Sequence, residues 1–251
     1  MTTTSRRSRM GLSRLGGVPT TLPPPEASAS GQLGLVFERQ VPTRRDVLPG
    51  VVSITDWLDA DEQRALVAGF REWARPPAGL RHPRVPAGHV MSVQSVCLGW
   101  HWQPYAYSRT ADDTDGAPVK PLPDGLAALA RRAVGETFGD DAGRRYRPDA
   151  VIANLYEPGA RLGLHQDGEE PAAAPVVTIS LGDTCVFRMA ALDRRTGPFT
   201  DIELRSGDLL VFGGPRRRVF HGVPKVLDGT GPSDIGMPPG RLSITVRETG
   251  L

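Results

Sequence analysis

The chain has 251 residues, a formal net charge of +2, 39% hydrophobic and 23% charged residues, 29 Gly and 24 Pro. That length and apolar share fit one large domain or two small ones, and the Gly and Pro content favours a turn-rich, strand-rich fold. The near-neutral charge excludes a global basic field, and two cysteines, Cys97 and Cys185, without a CxxC pair exclude a disulfide scaffold and a thiolate zinc site.

Residues 1–35 carry Arg6, Arg7, Arg9 and Arg14 against Glu26 in a Ser-, Thr-, Pro- and Gly-rich stretch and are expected to form a flexible tail. The start lacks the apolar run of a secretory leader, and no stretch reaches the roughly 18 apolar residues of a membrane helix. A cytoplasmic protein without a membrane partner, keeping both thiols free, is the expectation. Order is expected from about Leu35. The segment from Val47 to Leu58 reads as a strand and turn. Asp59 or Asp61 can cap a helix running to about Ala74, with Leu66, Val67, Phe70 and Trp73 at helical spacing and Pro76-Pro77 as its stop. Residues 76–90 are a Pro- and Gly-rich connection with His82 and His89. An aromatic cluster follows, Trp100, Trp102, Tyr105 and Tyr107, then a polar loop. Leu122 to Phe138 reads as a second amphipathic helix, and 139–149 as a charged turn.

The remainder reads as strands: Ala150–Tyr156, Pro175–Leu181, Cys185–Met189, Phe199–Leu204, Asp208–Gly213, Arg218–Val223 and Arg241–Arg247. The second and third are expected to be adjacent across Gly182-Asp183. So many short strands with turn signals indicate a mainly β fold with flanking helices, a sandwich or jelly roll, with the two helices covering one sheet.

From the end of the first of these strands toward the second runs NLYEPGARLGLHQDGEEP, residues 154–171, with His165 and Asp167 two apart. Side chains two apart on a strand project to one side and can reach one point. Imidazole plus carboxylate is two thirds of the facial triad that holds non-haem Fe(II), and a downstream His must complete it. His221 is the only histidine after position 165. A lone His-x-Asp is equally a hydrogen-bonded surface pair; the distal His and the strand RLSITVR, with Arg241 and Arg247 at its ends, favour iron. A guanidinium fork suits bidentate capture of a carboxylate, so the strand offers an anchor for an acidic co-substrate. His82, His89 and His101 have no partner at ligand spacing. Arg216, Arg217 and Arg218 read either as a charged turn or as a phosphate- or loop-ordering group.

Taken together, NLYEPGARLGLHQDGEEP, VVTISLG, SGDLLVFGGPRRRVFHGV and RLSITVRETG resemble the AlkB family of Fe(II)/2-oxoglutarate dioxygenases in order and spacing. The resemblance covers roughly residues 35–251. It implies a double-stranded β-helix core over 150–251, preceded by a nucleotide-recognition region over 36–149. It implies Fe(II), 2-oxoglutarate and O2 as cofactor and co-substrates, and oxidative dealkylation of bases such as N1-methyladenine and N3-methylcytosine in DNA repair, releasing succinate, CO2 and an aldehyde.

By motif, the resemblance makes His165, Asp167 and His221 the metal ligands. Arg241 and Arg247 would hold 2-oxoglutarate, with Asn154, Tyr156 and Ser243 completing its pocket; Ser243 stands where an amide is common. Trp100 would pack the flipped base opposite His165. Tyr105 and Tyr107 would line the base and meet the strand backbone. Glu169 would face the exocyclic amine, and Arg161 a backbone phosphate. The expected partner is alkylated DNA, single-stranded or with its base flipped, handled by a monomer. The alternatives are the same chemistry on RNA or tRNA bases, and a non-catalytic nucleic-acid-binding jelly roll.

Overall fold

The computed structural model describes residues 41–85 and 88–251, so the expected tail and its boundary near Leu35 lie outside the described residues. The first described strands, β1 (Thr43–Leu48) and β2 (Val51–Thr55), form a hairpin turned at Gly50, whose φ of +80° favours glycine. Helix α1 (Ala60–Trp73) starts where the sequence expects it. Asp59 accepts from the Glu62 amide while the Glu62 carboxylate accepts from the Asp59 amide, a reciprocal capping box. Val67 and Phe70 are buried on its inner face, with Leu66 and Trp73 packed beside them.

The C-terminal end of α1 is held from outside. Lys120 Nζ donates to the carbonyls of Trp73 (3.0 Å), Arg75 (2.6 Å) and Ala78 (3.3 Å), and to that of Pro77. An ammonium at a helix C-terminus suits both the dipole and its orphan carbonyls. Lys120→Met is expected to lower unfolding free energy by about 1–3 kcal/mol, measured by urea denaturation. A midpoint equal to that of the parent protein would show that water replaces the ammonium at no cost.

The next strands are β3 (Gln94–Leu98), β4 (His101–Gln103) and β5 (Ala106–Ser108), the last two a short hairpin. Helix α2 (Asp124–Phe138) buries Leu126, Ala130, Ala133 and Val134. The expected charged turn over 139–149 contains a further short helix, α3 (Asp140–Arg145): with acids in its first turn and arginines in its last, its charges complement the dipole. The remaining strands are β6 (Ala150–Tyr156), β7 (Leu162–His165), β8 (Val176–Gly182), β9 (Thr184–Met189), β10 (Thr200–Leu204), β11 (Leu209–Phe212), β12 (His221–Leu227) and β13 (Arg241–Arg247).

They form two antiparallel sheets, a larger one ordered β1-β2-β11-β8-β13-β6-β3 and a smaller one ordered β10-β9-β12-β7. The expected pairing of β8 with β9 is corrected by this topology. β8 pairs with β11 and β13, whereas β9 pairs with β10 and β12. The chain changes sheets at Gly182, where φ is +80° and a Cβ would stand 2.5 Å from the Gly240 carbonyl oxygen. Two residues suit a hairpin or a corner equally, and only the crowding against Gly240 shows which forms.

Helices α1 and α2 cover one face of the larger sheet. Their apolar residues join Val52, Ile54, Val177, Ile179, Leu209 and Val211 in one core. Alternation along β13 sends Leu242, Ile244 and Val246 into that core. The other face of β13 carries Arg241, Ser243, Thr245 and Arg247 toward the smaller sheet. The larger sheet also runs unbroken across position 149/150: β3 pairs with β6, so strands from the expected recognition region and the expected core share one sheet.

Candidate metal centre and co-substrate pocket

His165 ends β7 and His221 begins β12, and the two are direct cross-strand partners. Their rings lie 4.5 Å apart between centroids. Asp167 follows two residues after His165. Its Oδ1 is 3.6 Å from His165 Nε2 and 3.9 Å from His221 Nε2. Ligand atoms from all three residues lie within 4.8 Å of one another, the only such group of His, Cys, Asp or Glu among the described residues. In each histidine Nδ1 sits 3.0 Å from the carbonyl two residues earlier, Gly163 or Val219. That contact selects the tautomer protonated at Nδ1 and leaves the Nε2 lone pair aimed at the shared point.

The electrostatics favour a cation there. His221 is buried between Phe187, stacked at 5.5 Å, and Phe212. Burial, together with the neighbouring His165, pushes its pKa down to about 4. It is therefore neutral at physiological pH, the form a metal requires. Burial opposes the charge on Asp167, but the Arg247 guanidinium, with both imidazoles and Arg217, holds its carboxyl far below the usual range. Arg247 Nη2 and Nε reach Asp167 Oδ2 at 2.8 and 3.1 Å. One carboxylate oxygen is thus held by arginine, and the other faces the imidazoles.

Above this trio a polar row crosses the larger sheet. Ser95, Asn154, Ser243 and Ser180 are successive cross-strand partners on β3, β6, β13 and β8. Ser95 donates to Asn154 Oδ1 at 2.6 Å. A narrow cavity opens between the sheets, lined by Asn154, Tyr156, Thr178, Ser243, Thr245 and Arg247 on one side and by Leu162, His165, Phe187 and His221 on the other. Arg241, two positions from Ser243, is fully buried. Its Nε donates to Ser180 Oγ at 3.1 Å, yet among the described residues Nη1 and Nη2 have no hydrogen-bond partner. Tyr156 lies against it, 5.0 Å from ring centroid to guanidinium carbon, and burial pushes its phenol up to about 12. A buried cation with two idle donors beside a neutral phenol is the donor set a carboxylate would satisfy. The residues present therefore fit both a metal and an anionic co-substrate.

The two arginines differ. Arg241 has free donors, while Arg247 is already engaged with Asp167, with Glu170 Oε1 at 3.5 Å and with the Tyr107 hydroxyl at 3.4 Å. Other expected site residues are also redistributed. Tyr107 is half-buried and donates to Glu170 at 2.5 Å, whereas Tyr105 is 75% exposed at the tip of the β4–β5 turn, with φ +71°. The pair therefore splits into one residue tied to the interior and one standing in solvent. Glu169 is half-buried and accepts from the Gly168 amide at 3.2 Å. Its neighbour Glu170, which sequence reasoning passed over, is 1% exposed and central. Arg161 is exposed, and its backbone exchanges hydrogen bonds with the Ser92 hydroxyl. Trp100 donates from Nε1 to Asp149 at 3.3 Å and carries the Arg109 guanidinium on its ring.

The arginine run acts on the metal loop. Arg217 is buried and donates to the Asp167 and Ala174 carbonyls, and pairs with Glu170 at 3.1 Å. Arg218 reaches the carbonyls of Gly168 and Glu170. Of the two readings the run allowed, loop ordering is what these contacts do. Its sequence signal, three arginines just before the distal histidine, was visible; Glu170 had only its place beside Pro171. Glu170→Ala would leave Arg217 without its carboxylate and Arg247 with Asp167 and the Tyr107 hydroxyl. A loss of about 3–5 kcal/mol in unfolding free energy is expected, measured by denaturant titration. A loss below about 1 kcal/mol would mean the two arginines find other partners.

His101, for which no metal role is expected, bonds Asp113 at 2.6 Å, and Arg81 bonds the same carboxylate at 2.8 Å. Both cysteines are free and buried.

A sandwich of two antiparallel sheets with a His-Asp-His cluster and a buried arginine between them defines a non-haem iron oxygenase of the 2-oxoglutarate class. Residues 50–247 match the family described as the 2OG-Fe(II) oxygenase superfamily. The chain is 37% identical over 204 residues to the alpha-ketoglutarate-dependent dioxygenase AlkB homolog of Caulobacter vibrioides, covering 80% of this chain and 86% of that protein. It is 36% identical over 171 residues to AlkB of Escherichia coli, covering 66% and 75%. It is 31% identical over 221 residues to the DNA N(6)-methyladenine demethylase ALKBH1D of Arabidopsis thaliana, covering 80% of this chain but half of that longer protein. The solved structure of OsALKBH1 superposes with a TM-score of 0.74 at 28% identity, over 82% of this chain and all of that one. The chain belongs to the AlkB-like branch of the 2OG-Fe(II) oxygenases, which use Fe(II), 2-oxoglutarate and O2. No helix among the described residues is long and apolar enough to cross a membrane.

Proposed function

We propose that this protein removes alkyl groups oxidatively from nucleic-acid bases, with DNA as the substrate class, and so acts in DNA repair. The observation that supports this most is the opposition of a trio of two imidazoles and a carboxylate to a buried guanidinium with two donors idle among the described residues. His165, Asp167 and His221 would hold Fe(II), and Arg241, Tyr156 and Asn154 would hold 2-oxoglutarate, with Ser243 beside them. When bound, that pair with O2 supplies the oxidant: one oxygen atom goes to succinate as CO2 leaves, the other to the N-alkyl carbon. The resulting N-hydroxyalkyl group loses an aldehyde and leaves the nitrogen unalkylated, with release of a proton where the lesion is cationic and with an N–H restored where it is neutral.

The residues of this chain do the rest. Arg247 holds Asp167 to one ligand oxygen, which keeps coordination positions free for co-substrates. Phe187 and Phe212 exclude water around His221. A base inside a duplex cannot reach a centre buried between two sheets, so it must be single-stranded or flipped. In this reading Trp100 and Tyr107 would receive it, with Tyr105 at the exposed tip and Arg161 on the surface as strand contacts and Glu169 beside the metal loop. The Arabidopsis relatives named as DNA N(6)-methyladenine demethylases support DNA over RNA, and keep N6-methyladenine among the substrates to test. Two free buried thiols suit a reducing, cytoplasmic compartment, and one flipped nucleotide needs only a monomer.

The test is anaerobic reconstitution with Fe(II) and 2-oxoglutarate, then mass spectrometry of oligonucleotides bearing one N1-methyladenine, N3-methylcytosine or N6-methyladenine. Each is presented as DNA and RNA, single-stranded and duplex. Loss of the methyl mass from DNA, absent in His165→Ala, is the expected result. Demethylation of RNA alone would move the substrate class, and untouched methyl groups on every base would sink the reading.

A further inference from the structure

The indole of Trp100 is fixed on two sides. Its Nε1 donates to Asp149 Oδ2, and that carboxylate is itself held by the Thr249 hydroxyl at 2.6 Å and the Thr249 amide at 2.7 Å. The Asp149 amide donates to the Arg247 carbonyl, so Trp100 hangs from the strand end whose side chain holds the metal carboxylate. On one face of the ring lies Arg109, its guanidinium carbon 3.4 Å from the ring centroid, a full stacking contact. Arg109 Nη1 donates to the Gly99 carbonyl at 2.7 Å, and its own carbonyl accepts from the Val119 amide at 2.9 Å. The backbone under it is fixed too: Gly99 has φ +78°, and a Cβ there would stand 2.0 Å from the Asp149 carbonyl oxygen. Among the described residues no carboxylate forms an ion pair with Arg109. The stacking platform therefore carries an unneutralised planar cation on one face.

We propose that Arg109 is a specificity-determining residue: it stays on its face of Trp100 while the base stacks on the other, and disfavours cationic alkylated bases relative to neutral ones. This rests on the base-dealkylating reading above. An aromatic face attracts a cation through its quadrupole, and a first cation uses part of that attraction. Two cations on opposite faces would also stand about 7 Å apart, close enough to repel across a partly dry ring. A neutral base loses neither term. N3-methylcytosine, cationic at neutral pH, and N3-methylthymine, neutral and nearly the same shape, isolate the charge.

The experiment compares kcat/KM for these two lesions in single-stranded DNA, using the full chain loaded with Fe(II) and 2-oxoglutarate, for the parent protein, Arg109→Ala and Arg109→Met. Binding of the same oligonucleotides to the Mn(II)-loaded proteins under argon provides a readout without turnover. Met keeps apolar cover on the indole and removes only the charge. The ratio of N3-methylcytosine to N3-methylthymine is expected to rise roughly three- to tenfold in both variants, carried by KM and by the Mn(II) affinities. An unchanged ratio, or a rise in Arg109→Ala without one in Arg109→Met, would overturn the proposal, since charge would then not be the cause. A parent protein that consumes 2-oxoglutarate but neither binds nor repairs either lesion would remove the base-dealkylating reading and this inference with it. A parent protein that repairs both with no shift in the variants removes the inference alone.

Discussion

Asp167→Ala is expected to abolish turnover, lowering 2-oxoglutarate decarboxylation on the order of a thousandfold or more, about 4 kcal/mol of transition-state stabilisation. The geometry makes this residue do two jobs. Oδ1 stands between the two imidazoles, while Oδ2 neutralises the buried Arg247 guanidinium. Alanine removes both functions and leaves Arg247 with Glu170 and Tyr107. Lost activity could then reflect a disturbed loop, so Asp167→Asn separates the two effects. The amide oxygen can still accept from Arg247, but the side chain is neutral and turns N–H donors toward the position where a ligand oxygen is needed. The asparagine variant is expected to melt nearer the parent than the alanine variant does, and to be as inactive. Metal titration of each variant with Co(II), followed by absorption, reads the binding loss directly. Decarboxylation at the parent rate in either variant would sink the ligand assignment.

What could be read from the sequence followed the reach of each signal. β6 and β13 occupy the ranges their alternation indicated, because a strand between two partners must alternate along its whole length. The start of α1 was legible to within two residues, as Asp59 or Asp61, because a cap is a local hydrogen bond between residues three apart, and Asp59 is the one that makes it. The pairing of β8 with β9 was misread because two residues suit a hairpin or a corner, and the deciding contact lies near position 240. In the site, His165, Asp167 and His221 were legible because metal chemistry restricts residue type and spacing. Glu170 was not. Its role depends on Tyr107, Arg217 and Arg247, residues up to 77 positions away that only the fold brings together. The same reason hid Arg109: a basic residue after a strand is ordinary until its guanidinium is seen on an indole.

That network also changes how the two strand-end arginines are read. From spacing alone they are a symmetric pair of anchors. In the structure Arg247 belongs to the metal carboxylate and its buried counter-charges, and Arg241 is the one with donors to spare. A folded protein rarely leaves a guanidinium half satisfied in its interior, because the lost hydration is costly unless something replaces it. Among the described residues Arg241 bonds Ser180 through Nε and leaves Nη1 and Nη2 without a partner, beside a phenol that stays protonated.

Arg241→Met should therefore act in opposite directions on stability and on function. Without co-substrate, the variant sheds an uncompensated buried charge while keeping most of the apolar stem, so its melting temperature is expected to equal or exceed that of the parent. With 2-oxoglutarate the order reverses. In the Mn(II)-loaded parent, co-substrate at about 100 times its dissociation constant should add about 2.7 kcal/mol, a rise of roughly 5–10 °C for a chain of this size. In the variant the KM for 2-oxoglutarate should increase by about 100-fold, the loss of a charge-assisted pair of about 3 kcal/mol, so the rise at the same concentration should shrink to about 1 °C. Differential scanning fluorimetry across a 2-oxoglutarate series, run in parallel with succinate formation, measures both. If the variant retains the ligand-induced rise, the anchor lies elsewhere and Arg247 becomes the candidate. If the ligand-free variant melts well below the parent, the guanidinium is a structural cation held by Ser180 and Tyr156, and its idle donors are not evidence of a carboxylate site.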